Sequence, residues 1–275
     1  MQKTVAIIGC GSMGTAILAG MLHHGYKPEQ IKLTTRTVEK ADGLAKKYKV
    51  TAYATEYQPN ANSLATEGAD LIIIAVKPLN VSKVLDEIAV VLDPNALVVS
   101  VAAGITIETM SKHVAKTNQV VRAMPNTPAL VGKGVTGIAF GVSVSQEQRM
   151  QVEELFSAVG KTLVIEEEQI DALSTISGSG PAYVFFVIEE FIKAAKEHGF
   201  SEDQAYLMVT ETFLGASLLL TKTQADPAEL RRQVTSPNGT TMKAIAILEE
   251  GNLEDLFVKA TKAALARAKE IAQEN

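Results

Sequence analysis

Short apolar segments alternate with amphipathic segments from Lys3 to about residue 160, and this alternation most limits the fold that the chain can adopt. The segment Leu71–Ala75 is apolar at every position, which is typical of a strand in a sheet that helices cover on both faces. Strands that alternate with helices predict a doubly wound, mostly parallel α/β sheet of the Rossmann type. We predict strands at 5–8, 31–34, 71–75, 97–100 and 119–122, and helices at 13–25, 38–48, 81–92 and 107–114.

The pattern changes after Ile165, where long segments of helical periodicity replace the β-branched segments. We therefore predict a dinucleotide-binding domain over residues 1–162 and an all-helical domain over residues 163–275. The segment 205–220 is apolar on most of its faces, so it needs cover from its own domain or from another subunit. The predicted helices of this half cover 181–198, 201–223, 240–250 and 253–273, and a further helix begins at Asp226-Pro227.

Composition argues against several classes of partner and cofactor. The 26 lysine and arginine residues against 31 acidic residues give a net charge of −5 without a basic run, so no nucleic-acid partner is expected. The single cysteine and the four scattered histidines lack metal-ligand spacing, so no metal is expected. Glycines interrupt the uncharged segments 4–22 and 172–188, so we expect no export signal, no membrane span and a cytoplasmic location.

A glycine-rich segment, GCGSMG, fits the G-x-G-x-x-G pattern between the first predicted strand and the first predicted helix. Gly9 permits the tight turn, Gly11 lets the backbone approach a pyrophosphate, and Gly14 lets the helix pack closely on the strand. The N terminus of the helix then offers free N–H groups to the phosphates. A purely structural glycine turn is the alternative interpretation. The predicted cofactor residues here are Gly9, Gly11, Ser12, Met13 and Gly14.

The end of the second predicted strand indicates which dinucleotide binds. It reads Thr34-Thr35-Arg36-Thr37 and lacks the acidic residue that NAD enzymes present to the ribose 2′-hydroxyl. Arg36 can pair with a 2′-phosphate, and the hydroxyls of Thr35 and Thr37 can act as secondary donors. We predict NADPH as the cofactor, with NADH as the alternative. An exposed surface charge is the alternative interpretation of Arg36.

Two further segments follow predicted strands and are expected to line the cofactor crevice, because ligands bind at the carboxyl ends of parallel strands. They are Ala75-Val76-Lys77-Pro78 and Ala102-Ala103-Gly104. Their small side chains permit close approach of a ligand, although packing of a strand against a helix requires small residues as well. Lys77 could act as an acid, but cofactor contact or packing is its expected role.

Two segments rich in glycine and proline precede helices in the helical half. Pro181 occupies the first turn of a long helix, where proline is well tolerated. The consecutive N–H groups of Gly239, Thr240 and Thr241, with nearby hydroxyls such as that of Ser236, predict a pocket for a small carboxylate. Two ordinary capping loops are the alternative interpretation.

Together these segments resemble the pyrroline-5-carboxylate reductase family along essentially the whole chain. The resemblance includes the segments at 9–14, 75–78, 122–128 and 177–183, and the most specific part of it is Val234-Thr235-Ser236-Pro237-Asn238-Gly239-Thr240-Thr241. Asn238 stands where the family usually has glycine. Asparagine also tolerates a positive φ, so we expect the turn to be retained.

The resemblance implies NAD(P)H-dependent reduction of 1-pyrroline-5-carboxylate to L-proline, the last step of proline biosynthesis. It implies that the substrate carboxylate rests on the amides of Thr240 and Thr241, and that the Thr241 hydroxyl, the predicted catalytic group, faces the imine nitrogen. It also implies that Asn62 contacts the adenine-side ribose, that Glu167 and Gln233 lie near the substrate or the nicotinamide, and that two subunits associate through the helical half.

The sequence motifs include no evident proton donor, and this agrees with the implied chemistry. A cyclic imine arrives already protonated, so its reduction needs no dedicated donor from the protein. Two alternatives remain at this point. A reductase of the same architecture that acts on a β-hydroxyacid would need a lysine in the first helix of the second half, and residues 181–192 contain none. The other alternative is a dinucleotide-binding protein without catalytic activity.

Overall fold

The structure is a computed structural model that describes residues 4–274. Eight strands within this range form one sheet. Their spatial order begins with the third strand along the chain and ends with the eighth. The strands are β1 (Val5–Ile8), β2 (Ile31–Thr35), β3 (Thr51–Ala54), β4 (Leu71–Ile74), β5 (Leu97–Ser100), β6 (Gln119–Met124), β7 (Gly134–Phe140) and β8 (Gly160–Val164).

The sheet has the order β3-β2-β1-β4-β5-β6-β7-β8, and all neighbours are parallel except β6 and β7. The direction of winding reverses between β1 and β4, which creates a crevice at the carboxyl ends of these strands. The predicted doubly wound, mostly parallel sheet is therefore confirmed. The sequence prediction did not include β3, β7 and β8, because β3 and β8 are partly exposed and β7 contains two glycines that weaken a strand pattern.

Helices cover both faces of this sheet, so its central strands are buried on each side. In β1, Val5 and Ile7 belong to one core cluster, and Ala6 and Ile8 belong to the other. This two-sided burial explains why Leu71–Ile74 is apolar without alternation. The helices are α1 (Ser12–His23), α2 (Val38–Tyr48), α3 (Ala61–Thr66), α4 (Val81–Ile88), α5 (Ile107–Ser111), α6 (Gln146–Ser157) and α7 (Ile170–Leu173).

The chain divides into two compact units, but the division differs from the predicted one. One unit comprises the described residues up to Ser179 together with those from Ala264 onward, and the other is Gly180–Ala263. The predicted boundary between residues 162 and 163 falls inside β8, which pairs with β7 in the sheet, so the first unit has to extend beyond it. The division between Ala263 and Ala264 could not be predicted from the sequence, because the helical periodicity continues through it.

The second unit consists of helices, as predicted. Phe191 and Phe213 pack edge to face, with ring centroids 6.4 Å apart. Ser201 caps the helix that contains Phe213, since its hydroxyl accepts a hydrogen bond from the Gln204 amide at 3.3 Å. The helices are α8 (Gly180–Glu197), α9 (Glu202–Thr223), α10 (Pro227–Gln233), α11 (Thr240–Glu250) and α12 (Leu253–Glu274), whose residues from Ala264 onward belong to the first unit.

Large apolar side chains of the second unit are exposed. Within α9, which the structure describes in full, Ala205 and Val209 are the buried residues, whereas Leu214 and Leu218 are each 53% exposed. Exposed apolar surface of this kind marks sites of interaction. None of the helices described between residues 4 and 274 is both long and apolar enough to span a membrane.

Candidate functional site

The turn between β1 and α1 has the geometry of a phosphate-binding loop. Gly9 has a φ of +80°, and a Cβ at this position would lie 2.4 Å from Val76 Cγ1, so both the backbone and the available space require glycine. The Gly9 amide donates to the Thr34 hydroxyl at 2.9 Å, which ties the loop to β2. At Gly11 a Cβ would meet only the Gly9 carbonyl oxygen, at 3.8 Å. The space at the start of α1 is therefore open, and these residues fit a bound pyrophosphate.

Gly14 and Met13 of the glycine-rich segment pack α1 closely onto the sheet. A Cβ on Gly14 would lie 3.5 Å from the Ala75 Cβ, which agrees with the predicted close packing. Ser12 is exposed in the first turn of α1, and Met13 packs against the core. Cys10 is buried, and burial raises the pKa of its thiol to about 11, so the thiol stays neutral and unreactive.

The end of β2 presents the predicted 2′-phosphate residues. Arg36 is exposed, and its guanidinium takes part in no ion pair within the part of the chain that the structure describes. The Thr35 hydroxyl is buried and donates to the Thr37 carbonyl oxygen at 2.8 Å. Donation from Thr35 to a phosphate would require this bond to break, so the predicted donor role does not fit the observed geometry of Thr35.

The segments after β4 and β5 lie at the carboxyl edge of the sheet, as predicted. The Ala75 amide donates to the Ile8 carbonyl oxygen at 2.8 Å, which extends the pairing of β4 with β1. Val76 lies against Gly9, as its distance to a Cβ there shows. Lys77 is exposed and precedes a 3-10 turn that begins at Pro78. The segment 75–78 therefore borders the glycine-rich loop.

A cavity of about 380 Å³ lies within the first unit, beyond the carboxyl ends of β5 and β6. Ala103, one of the predicted cofactor residues, lines it. A π-helical turn, Ser174–Gly178, contributes Ser174, Thr175 and Gly178 to the wall. Such turns are frequent at functional sites. The Asn126 amide group donates to the carbonyl oxygen of Ser177 at 2.8 Å, which holds the turn against the end of β6.

Arg122 lines the same cavity, although the sequence prediction gave it no role in a site. The residue is 3% exposed, and its Nη2 donates to Asp171 Oδ1 at 2.5 Å. Its Nη1 lies 3.6 Å from Glu167 Oε1, while its buried Nε has no hydrogen-bond partner among the described residues. A buried guanidinium needs carboxylates nearby, because an uncompensated buried charge is costly. The signal in the sequence was a charged residue inside a predicted buried strand.

Glu167 lies near Arg122 and also forms a hydrogen bond with the backbone of α5. Its Oε1 accepts a hydrogen bond from the Ile107 amide at 2.7 Å, at the start of α5. This carboxylate therefore joins the first turn of α5 to Arg122. The implied contact between Glu167 and the substrate stays a prediction.

Asn62 lies in α3, and it is 7% exposed. Its amide nitrogen donates to Glu87 Oε2 at 2.9 Å, which connects α3 to α4. The other carboxylate oxygen of Glu87 is buried and has no hydrogen-bond partner within residues 4–274. The Asn62 amide nitrogen thus has a structural role, and its implied contact with the ribose stays a prediction.

The predicted carboxylate pocket is a single turn in the second unit. Asn238 has a φ of +58°, which confirms the expectation that asparagine supports this turn. Gly239 is the N-cap of α11 and has no side chain to bond the first amides, so the N–H groups of Thr240 and Thr241 fit a small anion. A Cβ on Gly239 would lie 2.5 Å from Ser236 Oγ, so this hydroxyl borders the same turn.

Gln233 is the last residue of α10 and is exposed. Its amide group donates to Glu229 Oε1 at 3.2 Å, one helical turn earlier. Its implied position near the nicotinamide or the substrate stays a prediction. Over residues 4–274, no three His, Cys, Asp or Glu side chains are grouped so that they could hold a metal ion.

Two known families match this chain, one in each half. Residues 167–271 match the family described as pyrroline-5-carboxylate reductase dimerisation. Residues 4–104 match the family described as NADP oxidoreductase, coenzyme F420-dependent. The first match covers most of the helical half, and the second covers the glycine-rich loop with strands β1 to β5.

Relatives with similar sequences and structures cover nearly the whole chain. The pyrroline-5-carboxylate reductase of Corynebacterium melassecola is 38% identical over 98% of this chain and 99% of its own length. The solved structure of a pyrroline-5-carboxylate reductase from Coxiella burnetii superposes with a TM-score of 0.91 at 37% identity, covering 98% of this chain and 99% of that one. The Plasmodium falciparum pyrroline carboxylate reductase with NADP bound gives a TM-score of 0.86 at 26% identity, and 98% of each chain is covered. The chain therefore belongs to the pyrroline-5-carboxylate reductase family.

Proposed function

We propose that the chain reduces 1-pyrroline-5-carboxylate to L-proline by hydride transfer to the carbon of the cyclic imine. The observation that carries this proposal is the similarity to named reductases over 98% of the chain, which spans both the glycine-rich loop and the turn at Thr240. A bound nicotinamide supplies the hydride. The residues of the chain bind the two reactants and orient them, which is a large part of catalysis for an electrophile that arrives activated.

The start of α1 would hold the pyrophosphate of a dinucleotide cofactor. Gly9 and Gly11 leave this space open, and the first amides of α1 provide donors together with the positive end of the helix dipole. The segment 75–78 and Ala103 are the candidate groups along the rest of the cofactor. NADP is bound in the Plasmodium falciparum relative, which supports a dinucleotide with a 2′-phosphate.

Arg36 is the group that would bind the 2′-phosphate. Its guanidinium is exposed at the end of β2 and forms no ion pair with the acidic residues that the structure describes. An arginine pairs with a phosphate through two parallel hydrogen bonds, whereas NADH offers only a hydroxyl at this position. NADPH is therefore the favoured cofactor, and NADH is the alternative substrate of the same site.

The carboxylate of 1-pyrroline-5-carboxylate is bound by the first turn of α11. Gly239 precedes this turn without a capping side chain, so the amides of Thr240 and Thr241 retain their hydrogen-bonding capacity for an anion. The hydroxyl of Thr241 would then face the imine nitrogen and keep the ring in one orientation. The imine is protonated before hydride transfer, so Thr241 needs to position the nitrogen and not to titrate.

The residues of α8 argue against the alternative function, that of a β-hydroxyacid reductase. Its lysine nearest to the start of the helix, Lys193, forms ion pairs with Glu189 and Glu190, at 2.8 Å each. The hydrogen bonds that the Lys193 ammonium donates to Glu189 and Glu190 raise its pKa above the usual range. The group is therefore a paired surface cation rather than a proton donor for a carbonyl.

Two copies of the chain would associate through the second unit. The match to the dimerisation family covers residues 167–271, and α9 exposes Leu214 and Leu218 in the isolated chain. Burial of such side chains in a homodimer interface stabilises the assembly by the hydrophobic effect. The self-association is thus driven by apolar surface that the single chain leaves exposed.

Replacement of Arg36 should separate the two cofactors. We expect Arg36→Ala to raise the KM for NADPH about tenfold or more and to leave that for NADH nearly unchanged, because one charge-assisted pair contributes roughly 1.5–3 kcal/mol. Arg36→Lys should recover part of the loss, since an ammonium retains the charge without the two parallel bonds. Steady-state kinetics with each cofactor measures both effects. Equal effects on NADPH and NADH would contradict the 2′-phosphate site.

Replacement of Thr241 tests the substrate site. The unmodified protein should oxidise NADPH when 1-pyrroline-5-carboxylate is added, and Thr241→Ala should lower kcat/KM about ten- to a hundredfold by removing one hydrogen bond to a charged group. Thr241→Ser keeps the hydroxyl and should recover most of the activity. If the unmodified protein oxidises NADPH at a rate that does not depend on 1-pyrroline-5-carboxylate, the proposed reaction is wrong. If Thr241→Ala has unchanged kinetics, the imine binds elsewhere.

Replacement of an apolar residue of α9 tests the self-association. Leu218→Glu should dissociate the assembly without unfolding the chain, because the side chain is half exposed within one chain and an unpaired charge is costly in an interface. Light scattering gives the molar mass, and circular dichroism reports the folded state. The control is Val142→Glu, which introduces the same charged side chain in place of a fully exposed apolar residue of the first unit. A monomeric unmodified chain at micromolar concentration would rule out the association.

A further inference from the structure

A carboxylate lies beside the residues proposed to bind the 2′-phosphate. Glu56 follows β3 by two residues, and its Oε1 accepts a hydrogen bond from the amide of Val38 at 2.7 Å. The Glu56 amide donates to the carbonyl oxygen of Arg36 at 3.1 Å. Both the backbone and the side chain of Glu56 are therefore bonded to the segment that contains Arg36.

The amide of Val38 is also the first N–H group of α2. This helix has eleven residues, and its N-cap, Thr37, makes no side-chain capping bond. The first N–H groups of a helix carry its positive dipole end and attract an anion. The Glu56 carboxylate satisfies one of these groups, so the end of β2 brings this carboxylate to the same place as two positive elements, Arg36 and the start of α2.

We infer that Glu56 determines how strongly the enzyme prefers NADPH over NADH, an inference that rests on the proposed 2′-phosphate site at Arg36. A 2′-phosphate beside Arg36 is repelled by the Glu56 carboxylate and competes with it for the Val38 amide. The ribose of NADH instead offers a hydroxyl, which a carboxylate can bind.

The position of Glu56 also changes the interpretation of the missing acid. NAD enzymes of this fold present an acidic residue at the end of the second strand to bind the 2′-hydroxyl. Here that strand ends at Thr35 and is followed by Arg36, and the acidic side chain comes instead from the segment just after β3. Arg36 favours NADPH and Glu56 favours NADH, so the preference of the unmodified enzyme is smaller than that expected from Arg36 alone.

Glu56→Gln tests this inference, because glutamine removes the charge and keeps an oxygen that can accept the bond from Val38. We expect the KM for NADPH to fall about three- to tenfold, the size expected of one exposed like-charge contact. The KM for NADH should stay the same or rise. The ratio of kcat/KM for NADPH to that for NADH should therefore increase at least about threefold, as measured by steady-state kinetics at constant ionic strength.

Glu29→Gln is the matched control, since it removes the same charge from an exposed glutamate that precedes the start of β2, at the other end of the strand. It should leave the cofactor ratio unchanged. Suppose that Arg36→Ala impairs the reaction with NADPH and not that with NADH. If Glu56→Gln then has the same ratio of kcat/KM for NADPH to that for NADH as the unmodified enzyme, the role of Glu56 is wrong and the 2′-phosphate site stands. If Arg36→Ala impairs both cofactors equally, the proposed 2′-phosphate site is wrong and the role of Glu56 is overturned with it.

Discussion

The close approach of β1, α1 and the segment after β4 is the constraint on which the cofactor site depends. Val76 lies where any Cβ at residue 9 would have to be, and a Cβ at residue 14 would be in contact with Ala75. Glycine at both positions lets α1 begin directly above the end of β1, with its first amides directed to open space. Without this packing, the positive end of α1 would not be available to a pyrophosphate. The buried apolar strands on either side hold the geometry in place.

The proposed chemistry relies on backbone amides and hydroxyls more than on titrating side chains. The dinucleotide loop has no charged residue, and the turn at Thr240 presents amides and hydroxyls to the substrate. A protonated cyclic imine suits such a site, because it requires orientation and a hydride but no further proton from the protein. The buried Arg122 is different, since it holds Asp171 and Glu167 together and so supports the wall of a cavity next to the strand ends.

Much of the fold could be predicted from the sequence, because buried parallel strands such as Leu71–Ile74 have an unmistakable apolar pattern. The edge strand β3 could not, since it is short and partly exposed, and the pairing of β7 antiparallel to β6 depends on contacts distant in the chain. The predicted domain boundary fell inside β8 for the same reason. Local pattern indicates an element, but tertiary pairing decides which sheet it joins.

The candidate site was predictable where a local motif defines it. The positive φ of Gly9 and Asn238 follows from residue type and turn chemistry, and the structure shows both. Glu56 was not predictable, because its bond to Val38 joins positions eighteen residues apart and no local pattern marks it. The hydrogen bond from the Thr35 hydroxyl to the Thr37 carbonyl oxygen was not predictable either. The sequence alone does not distinguish a hydroxyl that bonds a nearby carbonyl from a free donor.

In the proposed reaction, hydride passes directly from the bound nicotinamide to the imine carbon of 1-pyrroline-5-carboxylate. Reduction with NADPH that carries deuterium at both C4 positions, followed by mass spectrometry and NMR of the product, follows this transfer most directly. Direct transfer gives proline with one deuterium, located at C5. Proline without deuterium, or oxidation of NADPH without formation of proline, would contradict it.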